Sequence, residues 1–223
     1  MEHRFILIGG PNGSGKTTLV ASQLPSDIPP INADEIAKTL GHRSAQAANA
    51  EARQMASEMI EHHLEKRQSF ALETTLDLKR DLALLREAKA NGFQTEVQLI
   101  WSGGLDVSIA RVQIRVAMGG HDVPIEEIRR RYEAAMEALA PIVAAADVAE
   151  VWDNAEPSED GPDIVLQLMG GVITYVAGDP PEWLALAFER HLAPLVVGSQ
   201  LSGLAANYRV YRAEKILERR RGG

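Results

Sequence analysis

The sequence predicts an α/β fold: a mostly parallel sheet with helices on both faces, followed by a C-terminal hairpin and helix. Three observations carry this. First, the apolar run Phe5-Ile6-Leu7-Ile8 leads straight into Gly10-Pro11-Asn12-Gly13-Ser14-Gly15-Lys16-Thr17, which fits the phosphate-loop pattern G-x-x-x-x-G-K-[ST]. Thr18-Leu19-Val20-Ala21 then opens a helix, completing the strand–loop–helix unit of a P-loop NTPase-type sheet. Second, strand-like and helix-length segments alternate over the first two thirds of the chain, as β–α–β units do. Third, Met169-Gly170-Gly171 separates two β-branched runs, the mark of a β-hairpin.

Taken in order, strands are expected near residues 4–9, 28–32, 69–74, 95–101 and 147–152. Helices are expected near 16–24, 34–40, 45–67, 77–91, 105–118 and 125–140. The strand at 28–32 is the least regular, because Pro29 and Pro30 cannot donate to a ladder. Asn91-Gly92 ends one helix, and Gly103-Gly104 separates a strand from the helix after it. Residues 153–162 are polar and rich in turn formers, so they read as a loop. Ile164–Leu168 and Val172–Val176 form the hairpin, and Asp179-Pro180-Pro181-Glu182 starts a helix that runs through His191. Residues 204–223 read as helical and carry a net +4, six basic against two acidic side chains. A docking or oligomerisation helix and a frayed, solvated tail both fit that segment. The expected organisation is one domain over 1–195 and a basic helical tail over 196–223.

Composition narrows the class. The 223 residues can bury one sizeable core but not two ordinary ones. With 45% hydrophobic and 24% charged residues, the chain has the balance of a soluble globular protein. It has no cysteine, which excludes disulfides and thiolate zinc sites and leaves a cytoplasmic setting unopposed. No apolar run reaches membrane-spanning length, so no membrane partner is expected. A net charge of -8 argues against nucleic acid as a general partner, so positive charge must be concentrated locally to handle phosphates.

The phosphate loop, Gly10 to Thr17 with Thr18 behind it, is an anion cradle. Its backbone N–H groups converge on phosphates at the positive end of a helix. Lys16 would reach the β- and γ-phosphates of ATP, and the Thr17 hydroxyl would seat Mg²⁺. Asn32-Ala33-Asp34-Glu35-Ile36 follows a strand and opens a helix. Asp34 there is either a base for an acceptor hydroxyl or simply the cap of its helix. Glu35, one residue further in, is the poorer base. In Phe70-Ala71-Leu72-Glu73-Thr74-Thr75, Glu73 and Thr75 share a strand face and could hold an acceptor. Arg111, Arg115, Arg129, Arg130 and Arg131 flank Met118-Gly119-Gly120-His121-Asp122-Val123-Pro124. Two arginine-bearing helices about a Gly-Gly hinge read as a lid over the transferring phosphate, or as ordinary solvated helices. Arg129, Arg130 and Arg131 point about 100° apart, so not all can face inward. His121 could touch substrate, whereas His62-His63 reads as part of a solvated face.

Together, GPNGSGKTT at 10–18, NADEIA at 32–37, FALETTL at 70–76 and RVAMGGHDVPIEEIRRRY at 115–132 resemble the zeta-toxin family of P-loop kinases. Val151-Trp152-Asp153-Asn154 resembles that family's closing strand and Asp-Asn pair, and the likeness spans roughly residues 4–155. It implies an ATP-dependent kinase acting on a small-molecule hydroxyl. The family's characterised toxins phosphorylate the 3′-hydroxyl of the sugar of UDP-N-acetylglucosamine, so a sugar nucleotide is a candidate acceptor and an antitoxin protein a candidate partner. By position, Asp34 resembles the family's base, Glu73 and Thr75 its substrate contacts, and Arg115 a phosphate clamp. The second clamp falls among the three consecutive arginines, with Arg131, beside Tyr132, favoured. The chain departs from the family's plasmid-borne toxins in being short and in carrying Gly-Gly-His-Asp-Val-Pro between the arginines, and this shorter form resembles the chromosomal zeta-like branch. Two other outcomes stand beside a housekeeping kinase: a toxin held by an antitoxin, and a regulatory nucleotide-binding module that acts through protein contacts.

Overall fold

A computed structural model describes residues 3–41, 44–120, 122–156 and 161–190. His121, His191 and the 196–223 tail lie outside them. The first half of the chain comprises β1 (Arg4–Gly9), α1 (Lys16–Gln23), β2 (Pro30–Ile31), α2 (Ala33–Thr39), α3 (Ala45–Lys66), β3 (Phe70–Thr74) and α4 (Leu78–Ala90). It continues through β4 (Gln94–Trp101), α5 (Leu105–Ala117), α6 (Ile125–Ala145), β5 (Val148–Asp153), β6 (Asp163–Met169), β7 (Val172–Val176) and α7 (Glu182–Arg190).

The strands form one sheet in the order β2-β3-β1-β4-β5-β6-β7. The first five in that order run parallel, and β6 and β7 are antiparallel additions at the end. The chain leaves β1 first toward β2 and β3, and later returns to its other side with β4. The strand order therefore reverses at β1, where ligands of open α/β sheets sit, beyond the carboxyl ends of the strands. The phosphate loop follows β1 directly.

Alternation along the strands builds two cores. Phe5 and Leu7 face one side with Phe70, Leu72, Val97, Leu99 and Val151, all nearly fully buried. Ile6 and Ile8 face the other, with Ala71 and Ile28. Each such Phe, Leu or Ile contributes about 1.5–3 kcal/mol by leaving water. Trp101, at the end of β4, is fully buried and stacks on Trp183 of α7 at 5.4 Å between ring centroids, which draws the last helix onto the carboxyl end of the sheet.

The structure departs from the sequence expectations in three places. The second strand shrinks from 28–32 to Pro30–Ile31 and lies at the sheet edge, where the missing proline N–H costs no ladder bond. The helix expected to end at 140 continues to Ala145 through Pro141. Proline removes a helical hydrogen bond, but Ile142 and Val143 beyond it are fully buried, and their burial holds the extra turn. His63 is no solvated residue: its ring stacks on Phe70 at 5.3 Å, and burial lowers its pKa. Among the described residues, no helix is long and apolar enough to cross a membrane.

Candidate active site at the phosphate loop

Gly10, Gly13 and Gly15 all adopt positive φ. At Gly10 (φ 152°) an added Cβ would lie 2.1 Å from the Ile100 carbonyl oxygen, so the loop presses against β4 and admits no side chain. At Gly15 (φ 105°) it would lie 2.6 Å from Asn154 Nδ2. That nitrogen donates to the Ser14 carbonyl at 2.9 Å, strapping the loop to the end of β5. Arg111 Nη2 donates to the Ala155 carbonyl at 3.1 Å beside the same strap. Among the described residues, Asn12 Oδ1 and Ser14 Oγ are buried and have no hydrogen-bond partner, and buried polar atoms are otherwise almost always bonded. Pro11 is buried, while Thr17 and Thr18 are exposed.

Lys16 is 8% exposed, and its Nζ donates to the carbonyls of Gly10 (2.8 Å) and Pro11 (2.9 Å). Desolvation lowers its pKa to about 8, partly opposed by Glu73 and Asp34 and reinforced by Arg115 and Arg131. One ammonium thus feels two carboxylates and two guanidiniums drawn from four other elements.

On the far side of Lys16, Asn32 caps α2: its Oδ1 accepts from the N–H groups of Asp34 (2.9 Å) and Glu35 (3.3 Å). The capping role considered for Asp34 therefore belongs to Asn32, and the Asp34 carboxylate lines the cavity instead. Glu35 pairs with Lys38. Asn32 also donates from Nδ2 to Glu73 Oε2 (2.8 Å), while Thr17 Oγ1 donates to Glu73 Oε1 (3.2 Å). Glu73 is thereby tied to both the phosphate loop and α2. β3 stops at Thr74, and Leu76 takes a left-handed φ of 66°, a conformation costing a non-glycine residue about 1–2 kcal/mol. Glu73 and Thr75 nevertheless both line an open cavity of about 500 Å³ beside Lys16, bounded by α2, α3, α4 and α6.

The α5–α6 pair closes the remaining side. Gly119 and Gly120 form a Schellman cap on α5, with Gly120 N–H to Arg115 O (2.9 Å) and Gly119 N–H to Val116 O (2.9 Å). The pair expected to act as a hinge thus terminates a helix. Val112, Val123 and Ile128 pack into a small core of their own between the two helices. Tyr132 Oη donates to the Gly103 carbonyl at 2.8 Å and anchors α6 to the sheet. Glu127 accepts from Arg131 Nε (2.7 Å) and from Arg130 Nε and Nη2 (2.8 and 2.7 Å). Those bonds pull its pKa down to about 2. Arg130 and Arg131 both line the cavity, whereas Arg129 pairs loosely with Glu126 at 3.9 Å. Of the three arginines, only Arg131 is among the charges acting on Lys16.

Among the described residues, no cluster of three His, Asp or Glu forms a ready-made metal cage. Mg²⁺ does not need one: it keeps several waters and uses one or two carboxylates plus phosphate oxygens. The Thr17 hydroxyl beside Glu73 has that chemistry. Sequence reasoning missed the bridging role of Asn32 and passed over Arg53, Arg80 and Asp81 entirely. It named Asn154 only through a resemblance. The NADEIA segment did contain Asn32, but nothing in the chain order links α4 or β5 to the phosphate loop.

The Zeta toxin family model matches residues 2–159. An uncharacterized protein of Haemophilus influenzae is 27% identical over 132 residues, 59% of this chain and 94% of its own length. Among solved structures, the AvrRxo1-ORF1:AvrRxo1-ORF2 complex with sulphate ions superposes with a TM-score of 0.64 at 15% identity, covering 89% of this chain and 66% of that one. The same pair crystallised with ATP gives 0.62 at 16% identity. The PezAT chromosomal toxin–antitoxin system of Streptococcus pneumoniae gives 0.54 at 17%, covering 74% of this chain and 71% of that one. These structural likenesses establish a shared fold.

Proposed function

This chain belongs to the zeta toxin family, and from that premise we propose that it is a Mg²⁺·ATP-dependent kinase that phosphorylates a hydroxyl of a small molecule. The observation that carries the reading is that the charges of Glu73, Asp34, Arg115 and Arg131 all act on the buried Lys16 ammonium, and that Lys16, Asp34, Glu73 and Arg131 line one cavity. ATP would enter the phosphate loop, with its phosphates meeting the N–H groups of residues 10–18 and displacing Lys16 from the Gly10 and Pro11 carbonyls. The structural relative solved with ATP supports ATP as the nucleotide. Thr17, with Glu73 beside it, suits Mg²⁺, which when bound neutralises charge on the phosphates.

In the transfer itself, the acceptor oxygen forms a bond to the γ-phosphorus as the bond from that phosphorus to the β–γ bridging oxygen breaks, leaving ADP. The hydroxyl proton passes to the Asp34 carboxylate. Asn32 keeps that carboxylate free for the task by taking over the helix cap. Arg131, its Nε held by Glu127, and Arg115 offer positive charge to the phosphoryl oxygens. Glu73 and Thr75 position the acceptor.

UDP-N-acetylglucosamine is the first acceptor to test, with mass spectrometry of the sugar nucleotide after incubation with Mg²⁺ and ATP. A product heavier by one phosphoryl group supports the reading. Asp34→Asn should lower turnover by about 10²–10⁴-fold while ATP affinity stays within a few-fold, and unchanged turnover would remove Asp34 as the base. The toxin–antitoxin relative further supports a role as a toxin restrained by a partner protein. Growth arrest on expression, relieved by Lys16→Ala, would bear that out.

A further inference from the structure

We propose that Arg80 is a specificity-determining residue, a fixed fork on the cavity wall that selects acceptors carrying an anionic group, carboxylate or phosphate. The proposal rests on reading this cavity as the acceptor site. Its starting point is Asp81, a carboxylate with 0% exposure. An ionised carboxylate out of water is costly unless its oxygens are satisfied. Asp81 Oδ2 accepts from Thr74 Oγ1 and from the Asp77 N–H, both at 2.9 Å, and Oδ1 accepts from Arg80 Nε at 2.7 Å. Arg80 Nη2 also reaches Thr74 Oγ1.

These bonds occupy the edge of the guanidinium that carries Nε and Nη2. Nη2 also lies 2.7 Å from Asp81 Oδ1, so Nε and Nη2 are both engaged, and Nη1, with its two N–H donors, is left for a carboxylate or phosphate. Arg80 lines the cavity with its side chain 56% exposed, so that group is accessible. A free surface arginine loses rotamer entropy on binding, whereas this one is already fixed from behind. Asp77, which also lines the cavity, caps α4, its Oδ1 accepting from the Arg80 N–H at 2.8 Å. Arg53 of α3 and Lys79 of α4 line the same cavity, and among the described residues neither has an ion pair. The bonds that fix Arg80 also reach the end of β1, next to the phosphate loop. Thr74 Oγ1 accepts from the Leu76 N–H at 3.0 Å, and the Leu76 side chain fills the space where a Cβ on Gly9 would sit.

The test uses the full chain saturated with Mg²⁺ and a non-hydrolysable ATP analogue, so that the phosphate loop is filled. Binding of two probes, inorganic pyrophosphate and malonate, is then followed by calorimetry for wild type, Arg80→Gln and Arg80→Lys. Wild type should bind at least one probe, pyrophosphate alone identifying a phosphate-bearing acceptor and malonate alone a carboxylate-bearing one. Both variants should bind roughly tenfold more weakly or worse, since lysine keeps the charge but lacks the fork. Both should keep wild-type affinity for the analogue. Equal probe binding by Arg80→Gln, or no probe binding by analogue-loaded wild type, overturns the proposal. Failure of wild type to bind the analogue at all would instead count against the kinase reading.

Discussion

Lys16 is the side chain on which folding and ligand binding pull in opposite directions. Without nucleotide it is buried against two carbonyls, and its pKa falls to about 8 chiefly through desolvation. In the unfolded chain it holds its proton until about pH 10.5. Between those values the unfolded state binds more protons, so the stability of the nucleotide-free protein rises with pH across that window. Below pH 8 the full cost of the buried charge persists. Lys16→Met should therefore be more stable than wild type at pH 7, by about 3 kcal/mol at most. The difference should shrink toward zero by pH 10.5, as followed by denaturant unfolding at several pH values. The same variant should lose ATP binding, because the charge that burdens the empty loop is the one that meets the phosphates. A gap that does not change with pH would show that Lys16 is not desolvated as described.

The element that constrains the site most is the strand–loop–helix unit of β1 and α1, because its geometry depends on backbone alone. Gly10→Ala brings a methyl group to 2.1 Å of the Ile100 carbonyl, and backbone rather than a flexible side chain must give way. The loop should lift from β4 at a cost of about 2 kcal/mol or more. Thermal denaturation should detect that loss, and equilibrium dialysis the accompanying loss of ATP binding. A variant of wild-type stability would mean that the loop does not press on β4. The opposite wall behaves differently. α2 owes its start to Asn32, whose amide also reaches Glu73, so one side chain both begins the helix that carries Asp34 and holds the Glu73 carboxylate. The α5–α6 pair has its own small core and a Schellman cap, and Tyr132 fixes it to the sheet. It presents Arg115 and Arg131 as parts of a folded unit.

At the scale of the whole molecule, the antiparallel hairpin and α7 extend the parallel sheet and close the larger core. Trp183 on Trp101 is the principal join, with Leu184, Ala187 and Phe188 buried around it. Trp183→Ala should cost about 3–5 kcal/mol. The loss should appear in one cooperative transition, because α7 shares a core with α6 and β4. Two separate transitions in calorimetry would show that the C-terminal elements fold as an independent unit. Trp101 also touches Tyr132, at 6.0 Å between centroids, so the same aromatic group joins α7 to the helix that carries Arg131.

The sequence by itself determined what depends on near neighbours: the phosphate loop, the alternation that makes the sheet parallel, and the Gly170-Gly171 hairpin turn. Lys16, Asp34, Glu73, Thr75, Arg115 and Arg131 could be named because each lies within or beside a recognisable local motif. Element ends were less legible where burial overrode propensity, as in the helix that runs through Pro141. Only the tertiary structure decided between roles that spacing left equal. It gave the cap to Asn32 and left Asp34 in the cavity, and of Arg129, Arg130 and Arg131 it brought the charge of Arg131 to bear on Lys16. It also revealed Asn154 strapping Ser14, 140 residues away in the chain, and Asp81 fixing Arg80 on the cavity wall. Local geometry follows from a few adjacent dihedrals and can be read along the chain. Charge, burial and hydrogen-bond partnership at the site arise from atoms that only folding brings within a few ångströms.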